Sequence, residues 1–311
     1  MTLTELRYLV ALARERHFGR AAEACHATQP SVSVAIRKLE DELGVRLFER
    51  GTAEVRLTEI GERVVVQAQR VLEQAAGIGE IARQGRDPLV GPLRLGAIYT
   101  VGPYLLPALV RQLQQDAPQM PLFLAENFTV RLLEMLRNGE IDAAVLALPL
   151  PESGLAIRPL YDEPFVAAVP RGHAWARRKA VAMAELAGQT TLLLGSGHCF
   201  RDQVLAACPE LDRGTTDGIR RPLEGSSLET IRQMVASGIG VTVLPQTSVP
   251  ERPVRGSLLA YVPFCTPVPQ RRVVLAWRKT FPRTGAIEAL CRAVERCALP
   301  GANPIDDGLP A

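Results

Sequence analysis

Long apolar runs are absent from this 311-residue sequence. None reaches the roughly 18 uninterrupted apolar residues of a membrane span, and the first residues show no basic segment followed by an apolar one. A large excess of one charge is also missing, because 36 Lys and Arg residues stand against 33 Asp and Glu residues. These absences argue against a membrane or secreted protein, and the charge is weak support for a nucleic-acid partner. We expect a cytoplasmic globular protein of about two or three domains.

Cysteine is too scarce and too scattered for a disulfide scaffold. The six residues are Cys25, Cys199, Cys208, Cys265, Cys291 and Cys297. A reducing compartment keeps such thiols free, so we expect any disulfide to be regulatory. Neither a C-x-x-C motif nor a spaced histidine pair accompanies Cys199 and Cys208, which argues against a zinc site. We expect no metal and no cofactor, and we interpret the other four cysteines as small buried apolar residues.

Three short helices and a hairpin are predicted at the amino end of the chain. The elements are helices at about 4–15 and 19–25, a helix that begins after Thr28 and stops at Gly44, and a β-hairpin over 45–57 centred on Gly51. Thr28 can cap the third helix, and Pro30 falls in its first turn, where the missing N–H is no loss.

The third helix carries a polar stripe beside its apolar one. A short helix, a turn and such a helix fit the major groove of DNA, because the first residues of the second helix meet base edges and phosphate. The hydroxyl, amide and guanidinium groups available there belong to Thr28, Gln29, Ser31, Ser33 and Arg37. Charge does not decide the matter, since residues 1–57 hold nine Lys and Arg against eight Asp and Glu. A three-helix bundle with a merely solvated polar face is the alternative, and periodicity leaves it open.

Four stretches of this region resemble the helix-turn-helix of the LysR family of transcriptional regulators. They are FGRAA at 18–22, TQPSVS at 28–33, IRKLEDELGVRLFER at 36–50 and LTEIG at 57–61. The resemblance implies a winged helix-turn-helix over 1–57 that binds double-stranded DNA. It implies base or phosphate contacts from Gln29, Pro30, Ser31, Ser33 and Arg37, with Arg50 on the wing.

A single long helix is predicted over 58–84. Its apolar positions recur at spacings of three and four, at Ile60, Val64, Ala68, Val71, Ala75, Ile78 and Ala82. A helix about 40 Å long cannot bury this stripe against residues 1–57 alone. We therefore expect a linker helix that pairs with a second copy, giving a homodimer and, by further association, a homotetramer. A hinge is predicted over 85–92, and RNA polymerase is a candidate partner of such a regulator.

From residue 93 onward, short apolar β-rich runs alternate with helical stretches, which is typical of an α/β fold. Predicted strands lie at 93–98, 122–125, 143–147, 165–169, 191–194, 241–244 and 272–277. Predicted helices lie at 105–115, 130–137, 200–207, 228–236 and 286–297. The LysR resemblance implies that 93–299 is an effector domain of two α/β subdomains similar to periplasmic binding proteins. Subdomain I takes about 93–161 and 266–299, subdomain II takes about 162–265, and 300–311 is expected to be a disordered tail.

Cys199 lies where a predicted strand enters a glycine-rich turn and a helix then starts. Backbone N–H groups and the helix dipole stabilise an anion at that position, and His198 and Arg201 could add positive charge or a hydrogen bond. Peroxide oxidises such a thiolate to a sulfenic acid, which condenses with a nearby thiol. Cys208 is the nearest candidate for that second thiol, whereas His198 by itself is more often a structural hydrogen-bonding residue.

The segment GHCFRDQ at 197–203, followed by Cys208, is similar to the sensing segment of the peroxide-responsive members of the LysR family. The similarity extends over most of the chain and implies that Cys199 is the peroxidatic cysteine and Cys208 the resolving one. It also implies a peroxide pocket, for which the matching residues are Thr100, Thr129, His198, Asp202 and one arginine of the adjacent pair Arg271 and Arg272. Routine helix capping is the alternative for the two threonines, and the sequence does not decide between the two arginines.

The resulting prediction is a hydrogen-peroxide-sensing regulator, not an enzyme, that controls oxidative-stress genes through a reversible disulfide between Cys199 and Cys208. One alternative is a LysR-type regulator whose effector is a small metabolite bound between the two subdomains. Another is a thiol peroxidase with Cys199 as nucleophile, although the DNA-binding segment has no role in such an enzyme.

Overall fold

The computed structural model describes residues 1–49, 55–84, 89–150, 154–213, 223–251 and 256–305. The chain divides into two compact units. The first comprises 1–88 with 134–140 and 278–284, and the second comprises 89–133, 141–277 and 285–311. No helix within the described ranges is long and apolar enough to cross a membrane. The domain and subdomain limits expected from the sequence remain predictions.

Three helices begin the first unit, namely α1 (Leu3–Glu15), α2 (Phe18–Ala24) and α3 (Gln29–Leu43). They confirm the three helices predicted from periodicity. The Thr28 hydroxyl caps α3 by accepting from the N–H of Ser31. Gly44 ends α3 with a φ of 69°, a left-handed conformation in which glycine carries no Cβ penalty. Local capping chemistry thus sets both ends of the helix.

The predicted hairpin is described only at its base. Phe48 pairs antiparallel with Leu57, and the N–H of Glu49 donates to the carbonyl of Arg56 at 2.9 Å. The centre of the hairpin, with Arg50 and Gly51, lies outside the described residues.

A long helix, α4 (Glu59–Gln84), follows the hairpin and confirms the predicted helix. One part of its apolar stripe is packed against the three helices, and another part is exposed to solvent. Ala68 is buried with the core of the three helices, and Val64 and Val71 pack against that core. Ile60 and Ile78, by contrast, are 38% and 70% exposed. The first unit therefore buries the middle of the stripe, where α1 packs along it, and leaves Ile60 and Ile78 exposed. Pairing of this helix with a second copy remains a prediction.

The strands after α4 are β1 (Leu93–Ile98), β2 (Leu122–Asn127), β3 (Ala143–Ala147), β4 (Leu155–Pro170), β5 (Thr191–Leu194), β6 (Leu223–Gly225), β7 (Val241–Pro245), β8 (Leu259–Pro263) and β9 (Gln270–Arg278). The helices are α5 (Gly102–Asp116), α6 (Thr129–Arg137), α7 (Cys199–Ala207), α8 (Glu210–Arg213), α9 (Leu228–Ala236) and α10 (Thr284–Arg296). Short 3-10 turns occupy Ala174–Arg177, Met183–Gly188 and Gln246–Ser248. The α/β alternation predicted from the sequence is confirmed.

Strand order in the sheet is β2-β1-β3-β9-β4-β7-β5-β6, and β8 pairs with β4. β1 runs parallel to β2 and β3, and β5 runs parallel to β6 and β7. β9 is antiparallel to β3, and β4 is antiparallel to β7. The carboxyl ends of β1 and β2 therefore lie at one edge, as do those of β5 and β7, and loops at such ends are where α/β folds place ligands.

Sequence reasoning missed β6, β8, α8 and the first half of β4. The missed part of β4 contains Pro159 and Pro164, and proline is uncommon within strands because it cannot donate to a ladder. The expected disorder of 300–311 is wrong at Asn303, which exchanges backbone hydrogen bonds with Asp162 at 2.8 and 3.1 Å. Residues 306–311, like 85–88 of the predicted hinge, lie outside the described residues.

Gly61 should be intolerant of a side chain. A Cβ at Gly61 would overlap the carbonyl oxygen of Leu47, and the N–H of Gly61 also donates to the Thr58 hydroxyl at 3.0 Å. We expect Gly61→Ala to lower the free energy of unfolding by about 1–3 kcal/mol, the usual cost of overpacking. Gly188→Ala, where a Cβ meets nothing within 4 Å, is the matched control. Equal denaturation midpoints for the two variants would contradict the packing described.

Candidate functional site

The sequence around Cys199 builds a turn between β5 and α7. Gly197 adopts a φ of 96°, and His198 with extended backbone precedes the first helical residue, Cys199. Cys199 is half-buried at the amino end of a nine-residue helix. Phe200 and Val204 of the same helix are buried in the core of this unit. The helix thus anchors its apolar face while its first residue stays partly accessible.

A small cavity opens in front of Cys199. Its lining residues come from the last residues of β1 and β2, the turns that follow β1, β2 and β5, and the first residues of α6 and α7. They are Ile98, Tyr99, Thr100, Asn127, Phe128, Thr129, Gly197, His198 and Cys199. The hydroxyl oxygen of Thr129 is buried and has no hydrogen-bond partner in the described structure. Both threonines selected from the sequence therefore meet Cys199 and His198 around one cavity, which offers an unused hydroxyl to a small polar ligand.

His198 forms part of an aromatic wall. Its ring centroid lies 4.8 Å from that of Phe128, which in turn lies 5.3 Å from that of Tyr99. Burial lowers the pKa of His198, and a hydrogen bond with the backbone of Ser226 opposes that effect. The neutral imidazole is therefore favoured near pH 7, so His198 contributes a hydrogen-bonding group rather than the positive charge considered above.

Arg271 lies directly behind the cavity. Its Nη1 donates to the Thr100 hydroxyl at 2.8 Å, and its Nη2 donates to the Thr100 carbonyl at 3.0 Å. The guanidinium carbon lies 5.0 Å from the ring centroid of Phe200. Arg272 instead pairs with Asp162, with Nε 2.8 Å from Oδ1. Of the two adjacent arginines, Arg271 is the one beside the cavity.

Sequence reasoning missed Glu163, which pairs with Arg271. Both side chains are fully buried, and Arg271 Nε donates to Glu163 Oε2 at 2.7 Å. The other carboxylate oxygen accepts from the N–H of Thr247 at 3.0 Å and from the Thr247 hydroxyl. An acidic residue beside an apolar strand was the available signal, since a buried carboxylate requires partners.

Two other residues of the sensing segment do not face the cavity. Asp202 is exposed in the first turn of α7 and is not among the lining residues. Arg201 donates to the carbonyl of Leu194 at 3.0 Å and to Glu224 at 2.7 Å. Its charge is therefore directed at Glu224 and not at the cavity.

Cys208 ends the helix that Cys199 begins. Its side chain is buried, and its thiol donates to Glu210 at 3.5 Å. Burial raises the pKa of Cys208, and Glu210 raises it further. The thiol form of Cys208 is therefore favoured.

The remaining cysteines differ in exposure. Cys291 is buried, and Cys25 and Cys297 are half-buried; burial raises the pKa of all three thiols. Cys265 is exposed, so its interpretation as a buried apolar residue is wrong. Among the described residues, no cluster of three or more His, Cys, Asp or Glu side chains could hold a metal ion.

The predicted DNA-contacting residues lie at the start and along one side of α3. Gln29, Pro30 and Arg37 are exposed, and Ser33 is half-buried. The hydroxyls of Thr28 and Ser31 bond to each other at 2.8 Å. Nothing is described of Arg50.

Other basic side chains of the first unit form ion pairs with acidic residues. Lys38 pairs with Glu5 at 2.9 Å, and Arg46 pairs with Glu40 at 2.8 Å. Arg37 has no such ion pair among the residues described, so its guanidinium remains available to a ligand.

Comparisons with known proteins agree with this arrangement. Residues 3–62 match the bacterial regulatory helix-turn-helix protein model of the lysR family, and residues 86–298 match the LysR substrate binding domain. The chain is 42% identical to the hydrogen peroxide-inducible genes activator of Dickeya chrysanthemi and to the DNA-binding transcriptional dual regulator OxyR of Escherichia coli, covering 94% of this chain and 95% of each relative.

Solved structures give the same result. Full-length OxyR from Pseudomonas aeruginosa, as a cysteine-to-aspartate mutant, matches with a TM-score of 0.82 and 50% identity over 98% of this chain and 99% of that one. A hydrogen-peroxide-bound cysteine-to-serine mutant of Corynebacterium glutamicum OxyR matches with a TM-score of 0.63 and 34% identity, covering 95% and 92%. The chain belongs to the LysR family of bacterial regulatory proteins, and it is similar to OxyR along nearly its whole length.

Proposed function

We propose that this chain is a hydrogen-peroxide-responsive transcriptional regulator that binds double-stranded DNA and senses oxidant at Cys199. The main support for this proposal is the cavity in which Thr100, Thr129 and His198 surround Cys199. The Thr129 hydroxyl there has no hydrogen-bond partner among the described residues. The relatives named for peroxide-inducible genes support the choice of ligand. As a DNA-binding regulator of bacterial type, it acts in the cytoplasm.

The first chemical step occurs at Cys199, the first residue of α7, and the thiolate is the form of a cysteine that reacts. The sulfur of Cys199 attacks one peroxide oxygen, so an S–O bond forms as the O–O bond breaks. The second oxygen leaves as hydroxide and takes a proton to become water. Sulfur is thereby oxidised to a sulfenic acid and peroxide is reduced.

The second step joins Cys208 to Cys199 and releases water. Cys208 lies nine positions after Cys199, which is about 13 Å along an intact helix. A disulfide requires Cα atoms within about 7 Å, so α7 must unwind. Pro209 weakens the carboxyl end of the helix by disfavouring helical geometry at Cys208. This change of packing is the signal that reaches the DNA-binding helices.

Thiol variants test this sequence of steps. Cys199→Ser should be unresponsive to stoichiometric peroxide, whereas Cys208→Ser should form a sulfenic acid and fail to lock the oxidised state. Intact mass and thiol counts before and after peroxide measure both. Hydrogen exchange should show lost protection across 200–211 in the oxidised wild-type chain only. A formed disulfide with unchanged protection there would contradict unwinding.

Assays of DNA binding and of peroxide consumption separate the alternatives. A chain that responds only when a metabolite is added would be a metabolite-dependent regulator. Continuous peroxide turnover with a reductant, without any effect on DNA binding, would indicate a thiol peroxidase.

DNA recognition is tested at Arg37, which is exposed on α3. Arg37→Ala should weaken binding to the operator by about 1–3 kcal/mol and affect random DNA much less, because base contacts carry specificity. Arg50→Ala should act through phosphate and reduce the salt slope by about one. Titrations on both DNAs at several salt concentrations measure these effects. Equal losses on operator and random DNA for Arg37→Ala would contradict the placement of α3.

Assembly is tested on α4. We infer a dimer that pairs through the exposed positions of the stripe, so Ile78→Glu should reduce both dimerisation and operator binding while the monomer stays folded. Val66→Glu is the matched control, because Val66 is also exposed, at 45%, and lies off the stripe. Sedimentation at several concentrations measures the state and distinguishes a dimer from a tetramer. An Ile78→Glu chain that assembles like wild type would contradict the proposed seam.

A further inference from the structure

We propose that Glu163 is a positioning residue for the reaction at Cys199, because it holds Arg271 where that arginine orients the Thr100 hydroxyl toward the cavity. The inference rests on the proposed function and extends it to a residue outside the cavity. Glu163 lies on β4, behind Arg271, and does not line the cavity.

Glu163 is held from two sides. One carboxylate oxygen accepts from Arg271 Nε, and the other accepts from the backbone N–H and the hydroxyl of Thr247. Neither Glu163 nor Arg271 has any exposed side-chain surface. In such surroundings a charged pair keeps its geometry, because breaking either partner leaves an uncompensated buried charge.

Arg271 in turn determines the role of Thr100. Because Nη1 donates to the Thr100 hydroxyl oxygen, the hydroxyl's own hydrogen must point away from the guanidinium. The second bond, from Nη2 to the Thr100 carbonyl, fixes the arginine against the same residue. Thr100 lines the cavity, so its hydroxyl is prepared to donate to a ligand there.

A donor at that position serves the breaking bond. When the sulfur of Cys199 attacks one peroxide oxygen, the other oxygen becomes negative until it receives a proton. A preoriented hydroxyl donor stabilises that charge as it develops. The arginine that orients it also lies over Phe200, the residue after Cys199. Loosening Arg271 should therefore slow the peroxide step specifically.

The chain offers a matched control in the neighbouring pair. Asp162 and Arg272 lie on the same two strands and form a largely buried ion pair, with Arg272 Nε 2.8 Å from Asp162 Oδ1. Neither residue lines the cavity. Asp162→Asn therefore removes a comparable buried carboxylate without touching Thr100.

The experiment uses the full-length chain with Cys208→Ser, so that the sulfenic acid accumulates. Dimedone labelling of Cys199 gives the rate with hydrogen peroxide, and iodoacetamide labelling of the same peptide gives the rate of a reaction that needs the thiolate but no donor to a leaving oxygen. We expect Glu163→Gln to slow the peroxide reaction about tenfold, as small misplacements at reacting centres do, and to leave alkylation unchanged. Asp162→Asn should leave both rates near those of the parent.

A double-mutant cycle tests the route through Thr100. In a Thr100→Val background, Glu163→Gln should have no further effect on the peroxide rate. Thr247→Val removes only one donor to Glu163, so it should slow the peroxide reaction less than Glu163→Gln does. It replaces Glu163→Gln in the test if that variant does not fold.

The outcomes are distinct. Parent-like peroxide rates in both Glu163→Gln and Thr247→Val, equal slowing of peroxide and iodoacetamide, or additive effects with Thr100→Val would overturn the role of Glu163. Failure of the parent itself to form a sulfenic acid at Cys199 would instead overturn the proposed function.

Discussion

The burial of the Arg271 guanidinium is the constraint on which the site depends. A cation removed from water is costly unless its hydrogen-bonding groups are paired. Here all three nitrogens donate, one to Glu163 and two to Thr100, and the guanidinium lies over the Phe200 ring. These partners belong to β4, the turn after β1 and the first turn of α7. The Arg271 guanidinium thus connects β4 with the turn after β1 and with the helix that carries Cys199.

The helix that presents Cys199 also keeps it from Cys208. Phe200 and Val204 anchor α7 in the core, and Gln203 donates to the carbonyl of Leu148 at 2.8 Å. The remaining side-chain oxygen of Gln203 is buried without a partner in the described structure. One face of α7 is therefore well packed, while a buried amide oxygen on the helix lacks a hydrogen-bond partner among the described residues.

In the DNA-binding region, charged residues divide between holding the fold and facing solvent. Glu40 is buried and accepts from Arg46 and from the N–H groups of Leu47 and Phe48, so it fixes the start of the wing to α3. Lys38 is tied to Glu5. Because these cations serve the fold, the near-zero net charge of residues 1–57 does not argue against DNA binding by Arg37.

The sequence by itself determined the local features of this protein. Helix α3 could be predicted from Thr28 and Gly44, because capping acts between residues a few positions apart. The position of Cys199 at the start of a helix followed from its glycine-rich turn in the same way. Strands such as Ala143–Ala147 were readable because they are short and uniformly apolar.

The tertiary structure decided what depends on distant pairing. Arg271 and Arg272 are neighbours on a strand and point to opposite faces, so only the register of β9 with its neighbours determines which one meets Thr100. The partners of Glu163 and the exposure of Asp202 likewise depend on distant parts of the chain that pack beside them. The division of the α4 stripe depended on where α1 packs, and periodicity gives the spacing of an apolar face but not its partner.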